Sequence, residues 1–181
     1  MKIKLKNVRA AFVEVFEAKQ VNGEGKPAFS GTFLIDPKDP QVAMIETAAT
    51  EVARAKWGVK ADGVIKAIKA TDKWALHDGD IKSQYQGFEG MVYVNARNPV
   101  RPLVLDRDKS PLTEHDGKPY AGCYVNVSLE LWAQDNSYGK RVNASLGGIQ
   151  FVRDGDRFAG GSSADESDFD ELEDGADADL V

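Results

Sequence analysis

Cysteine and histidine are almost missing from this 181-residue chain, which holds one Cys and two His. A lone Cys123 cannot close an intramolecular disulfide, which points to a reducing compartment, and neither His77 nor His115 stands at ligand spacing from it, so a zinc site is not indicated. No stretch approaches the roughly 18 consecutive apolar residues of a membrane helix. The N-terminus, Met1-Lys2-Ile3-Lys4-Leu5-Lys6, alternates charge with apolar residues and lacks the apolar block of a secretory signal, so the expected location is the cytoplasm. Basic residues are absent from the last 22 positions, Gly160–Val181, which instead carry nine carboxylates (Asp165, Glu166, Asp168, Asp170, Glu171, Glu173, Asp174, Asp177 and Asp179).

That last absence splits the chain electrostatically. The whole sequence has 23 Lys and Arg against 29 Asp and Glu, a net charge of -6; removing the tail's nine acids leaves 23 against 20, or +3, for Met1–Ala159. A mildly basic body tethered to a polyanion suits a partner that is itself a polyanion, although acidic ends also serve solubility alone. The lengths predict one domain over residues 1–159 and a disordered acidic tail over 160–181, whose few apolar residues cannot offset the entropy of ordering.

Catalytic constellations fail to assemble. Asp106-Arg107-Asp108-Lys109-Ser110 begins like a calcium loop, but Pro111 occupies the sixth position, where the motif needs Gly, and Gly117 the twelfth, where it needs Glu. Gly23-Glu24-Gly25-Lys26-Pro27 lacks the spacing of a phosphate-binding loop. Asp78 and Asp80 form an acidic pair in a turn, and no Ser or Cys has an oriented base indicated beside it. The expectation is a protein without catalytic residues, metal or cofactor.

Periodicity predicts a mainly β chain. Met1–Glu17 alternates as a strand, Val21–Pro27 reads as a mobile hairpin loop, and Ala28–Ile35 as the returning strand. Asp39 then caps a helix with Pro40 at its first position; Val42, Ile45, Ala49 and Val52 share one face over Gln41–Lys56, and Gly58 stops it. A weaker helical piece follows over Gly63–Ala70. Three further strands, Gly90–Arg97, Tyr120–Trp132 and Lys140–Val152, are separated by Asp-Gly turns. These elements suit a small antiparallel barrel or sandwich with an inserted helix.

Side chains of a strand alternate between two faces. Val92, Val94 and Ala96 make one apolar row, leaving Tyr93, Asn95 and Arg97 opposite; Cys123 to Leu131 in odd positions make another, leaving Tyr124, Asn126, Ser128, Glu130 and Trp132; Val142, Ala144 and Leu146 leave Arg141, Asn143 and Ser145. Exposed rings among Arg and Asn suit a single-strand binder, in which bases stack on rings and cations meet phosphates. Parity leaves open the alternative that Tyr93, Tyr124 and Trp132 cover a second small core under a loop. The segment Arg97-Asn98-Pro99-Val100-Arg101-Pro102 favours binding, and Arg107 and Lys118 extend the basic track.

Asp78-Gly79-Asp80, Tyr85-Gln86-Gly87-Phe88-Glu89-Gly90, Asn98-Pro99-Val100-Arg101-Pro102, Tyr120-Ala121-Gly122-Cys123-Tyr124-Val125-Asn126 and Leu146-Gly147-Gly148-Ile149-Gln150-Phe151-Val152 occur in the order found in tailed-phage single-stranded DNA-binding proteins, and the chain resembles that family over roughly Ala28–Phe158. The resemblance implies an OB-fold barrel that coats single-stranded DNA in phage replication or recombination, in the host cytoplasm, with no enzymatic step. Gly122 and Gly147-Gly148 are expected as strand bends or bulges. The expected stacking platforms are Tyr93, Tyr124 and Trp132; Arg97, Arg101, Arg107, Lys118 and Arg141 form the phosphate track, with Asn95 and Asn126 beside them. In the tail, Asp168, Phe169, Asp170, Glu171, Leu172, Leu180 and Val181 are candidates for competing with DNA or recruiting replication and recombination proteins. A coating role is compatible with a homodimer. The rival classes are a protein-interaction module using the Tyr/Trp face and a metal-dependent nuclease using His77, Asp78 and Asp80.

Overall fold

The computed structural model describes residues 1–21 and 23–158. Seven strands, β1 (Lys2–Val21), β2 (Glu24–Ile35), β3 (His77–Asp78), β4 (Val92–Asn98), β5 (Leu103–Leu105), β6 (Tyr124–Asn136) and β7 (Gly139–Arg153), form one sheet in the order β3-β4-β2-β1-β6-β7-β5. A further pairing of β4 with β7 closes five of them, β4-β2-β1-β6-β7, into a barrel. This is the mainly β barrel with an inserted helical segment that the sequence predicted.

Closure needs strands that bend, and the sequence supplies the bends locally. In β1 the partners shift between Leu5 and Val8 against β6 and between Ala11 and Glu14 against β2, with Asn7 and Phe12 at φ 53° and 48°. Each extra residue raises the local twist, so one 20-residue strand borders both neighbours. In β7, Ser128 faces Gly148 and Leu129 faces Leu146, which makes Gly147 the extra residue of a bulge, as expected. Gly122 is required for a different reason: at φ 107°, a Cβ there would overlap the Asp156 carbonyl oxygen.

The β1–β2 hairpin is tighter than the sequence suggested, because β2 begins at Glu24, paired with Val21. The helical segment follows expectation closely. Asp39 Oδ1 accepts the Gln41 N–H at 2.9 Å, α1 runs over Pro40–Trp57, Gly58 ends it at φ 56°, and α2 covers Ala61–Ala70. Ile45, Ala49 and Ile68 join Val94, Val125, Leu129 and Leu146 in the main core. Full burial of the Val, Leu and Ile side chains among these stabilises the fold by about 1.5–3 kcal/mol each.

A second, smaller core corrects one expectation. Ala11, Leu34, Phe88, Tyr93 and Phe158 pack together on the other face of the sheet. Tyr93 is only 1% exposed, with the Phe88 ring edge-on at 5.3 Å and the His77 ring stacked at 5.0 Å, so it is not a surface stacking platform. The covering segment is held by its turn: Asp78 accepts the Asp80 N–H at 2.9 Å, and Asp80 accepts the Gly90 N–H at 2.7 Å. Both carboxylates of the acidic pair are thus engaged with backbone.

Candidate nucleic-acid interface

Beyond Leu131 the outward row of β6 continues through Trp132, Gln134 and Asn136, opposite Arg141, Asn143 and Ser145 of β7. Where β7 meets β4, Arg97 pairs with Ser145, which brings Asn95 and Arg97 beside that row. The result is a groove of about 750 Å³, bordered at the start of β2 by Lys26 and Pro27 and floored partly by Trp74 and His77. Trp132 is 43% exposed, and Tyr138, at the β6–β7 turn, is 85% exposed.

The charge in this groove is of one sign. Among the described residues, no Asp or Glu lines it, whereas Lys26, Arg97 and Arg141 do. The charged ends of Lys26 and Arg97 have no hydrogen-bond or ion-pair partner among those residues. Several cations elsewhere are engaged: Lys118 with Asp106 at 3.1 Å, Lys69 with Glu46 at 3.1 Å and Lys19 with Glu14 at 2.9 Å. An unpaired cation on a carboxylate-free wall is available for an anion without breaking a prior bond.

The amides here are committed to each other. Arg141 Nε donates to Asn143 Oδ1 at 3.3 Å, Asn143 Nδ2 to Gln134 Oε1 at 2.8 Å, and Gln134 Nε2 to Asn136 Oδ1 at 3.2 Å; the same oxygen accepts the Tyr138 N–H at 2.9 Å. This ladder ties the Arg141 guanidinium to the turn that carries Tyr138. Asn95 Oδ1 accepts from Thr32 Oγ1 at 2.7 Å. The groove therefore offers ring faces and charge more freely than base-reading amides.

The structure brings Asn95, Arg97, Trp132 and Arg141 together, and it places the other candidates elsewhere. Tyr93 lies behind His77, and burial, with the Asp72 and Asp78 carboxylates, pushes its phenol up to about 12. Tyr124 is half-buried, with the Arg153 guanidinium 3.6 Å and that of Arg9 5.7 Å from its ring centre, and it stands eight residues before Trp132, about 26 Å along the strand. Asn126 accepts the Asn7 N–H at 2.9 Å and donates to Gln150, holding the β1 bulge. Arg101 donates to the Phe16 carbonyl and Arg107 to that of Val152. Lys118 lies over the Phe151 ring. The tail candidates Asp168, Phe169, Asp170, Glu171, Leu172, Leu180 and Val181 lie outside the described residues.

Lys26, Gln134, Tyr138 and Asn143 complete the groove without having been singled out as binding residues. Carrying the β6 parity past Trp132 to Asn136 finds Gln134 and the exposed turn; Lys26 is reached only through the three-dimensional neighbourhood of β2 and β7.

A family model described as "Enterobacter phage Enc34, ssDNA-binding protein" matches residues 1–181. Protein p50 of Acyrthosiphon pisum secondary endosymbiont phage 1 is 47% identical over 176 residues, covering 95% of this chain and 94% of that one. The single-stranded DNA-binding protein of bacteriophage Enc34, solved in complex with ssDNA, superimposes with a TM-score of 0.73 at 27% identity, over 87% of this chain and 89% of that one. A single-stranded DNA-binding protein encoded by bacteriophage T7 shares the fold at 12% identity, with a TM-score of 0.57 over 97% and 96% of the two chains.

Proposed function

Because the chain belongs to the Enterobacter phage Enc34 single-stranded DNA-binding protein family, we propose that its groove along β4 and the β6–β7 hairpin holds single-stranded DNA. Trp132 and Tyr138 present ring faces on which unpaired bases stack, a contact worth about 1–3 kcal/mol per base. Lys26, Arg97 and Arg141 take the phosphates. Because Asn143, Gln134 and Asn136 bond to one another, part of their donor and acceptor capacity is already taken, and binding tolerates any sequence. The observation that carries this reading is a groove that joins two exposed rings to two unpaired cations with no carboxylate among its described lining residues.

The protein would coat single strands during phage replication and recombination in the cytoplasm of the host. Its tail, with nine carboxylates and no cation, competes for the groove at an effective concentration near millimolar, typical of short tethers. The same segment offers Leu180 and Val181 as anchors for replication or recombination proteins. Titration of the full-length protein with oligo(dT) tests the reading through tryptophan fluorescence. Trp74 is buried and Trp57 half-buried, its Nε1 bonded to Asp135, so quenching that disappears in Trp132→Phe assigns the stacked ring. Absence of both quenching and binding favours the rival reading of the Trp/Tyr face as a protein interface.

A further inference from the structure

A second depression, of about 270 Å³, lies where Lys4 and Lys6 of β1 face β5 across the outer surfaces of β6 and β7. It shares no lining residue with the DNA groove. Leu103, 61% exposed, and Leu105 form its apolar wall, and Ser128 and Gly148, which place little side chain there, deepen it. The ammonium groups of Lys4 and Lys6 have no partner among the described residues, and no carboxylate lines the site among them. Its volume is below the roughly 300 Å³ at which pockets for drug-sized ligands begin, so it suits one or two side chains.

We propose that this depression is the docking site of the chain's own segment Phe169–Leu172, with Phe169 and Leu172 against Leu103 and Leu105, and Asp168, Asp170 and Glu171 facing Lys4 and Lys6. Charge and hydrophobicity match: the segment alternates acidic residues with two large apolar ones and has no cation. Length matches as well. The described residues end at Phe158, whose N–H is bonded to the Ala121 carbonyl. Asn126, at the edge of the depression, is five residues from Ala121 and so at most about 18 Å from it. Phe169 is eleven residues beyond Phe158 and reaches about 36–40 Å when extended. Trp132 in the DNA groove lies six residues further along β6 than Asn126, about 20 Å along the strand. The inner part of the tail therefore meets the depression well before it meets the groove.

The test uses the full-length protein without DNA, so its outcome is independent of the DNA-binding reading. Phe169 is replaced by benzoylphenylalanine, the sample is irradiated at low concentration, and the joined peptides are identified by mass spectrometry. The expected product migrates as a monomer and joins position 169 to the peptide containing Leu103 and Leu105 or to that containing Ile149. In a second sample carrying Leu103→Glu, an exposed substitution compatible with folding, this product is lost. Crosslinks confined to the Trp132–Tyr138 hairpin, products joining two chains, no crosslink at all, or a crosslink that persists in Leu103→Glu would each overturn the proposal.

Discussion

Trp132 and Tyr138 carry the stacking in the proposed complex, and Trp132 is anchored in a paired strand, opposite Asn143. Trp132→Ala is expected to weaken oligo(dT) binding by about 1–3 kcal/mol, roughly 5- to 150-fold, measured by anisotropy of labelled oligonucleotide. Tyr93 behaves differently, because its ring belongs to the fold. Its phenol, ordinarily near 10, is held at about 12 by burial first and by two carboxylates second. Above about pH 10 the unfolded chain gives up this proton while the folded chain retains it, so folding stability falls from pH 10 towards 12. Tyr93→Phe should flatten that part of the alkaline decline in melting temperature and leave oligo(dT) affinity unchanged. Parity assigned Tyr93 to the correct face, opposite Val94, but it says nothing of what covers a face. Here the cover is Phe88 and Phe158, and Phe158 comes from 65 positions further along the chain.

Elements with local determinants were legible in the sequence. The Asp39 cap, the Pro40 start and the Gly58 stop of α1 each depend on the residue at one position, and the Gly147 bulge was marked by a Gly pair in a strand pattern. The short strands β3 and β5 exist only through their partners, Tyr93 and Val92 for β3 and Gly148 to Gln150 for β5, which no local pattern encodes. The same holds for the groove, assembled from β2, β4, β6 and β7. At Gly122 the backbone conformation and the approach of Asp156 act together. Gly122→Ala should lower folding stability by about 3 kcal/mol, read as a shift in the urea midpoint at constant slope.

For the whole molecule, a body of +3 and a tail of nine negative charges set the salt response. Three phosphate contacts, from Lys26, Arg97 and Arg141, predict a slope of about -2 in a plot of log affinity against log salt, from roughly -0.7 per contact on single strands. A slope steeper than about -4 would mean that charge, rather than stacking, dominates. If the tail competes for the groove as proposed, deleting Gly160–Val181 should raise affinity for oligo(dT), most at low salt, where that competition is least screened. The barrel itself closes by a narrow join: β4 and β7 meet as parallel strands at Arg97 and Ser145, reinforced by Asn98 Nδ2 donating to the Leu146 carbonyl at 2.9 Å. Because Arg97 and Ser145 also line the groove, an oligonucleotide lying there would act as a suture over the seam where the cylinder is sewn most thinly. Saturation with oligo(dT) would then slow amide exchange along β4 and β7 more than along the broad β1–β2 ribbon, coupling cargo to the integrity of its carrier.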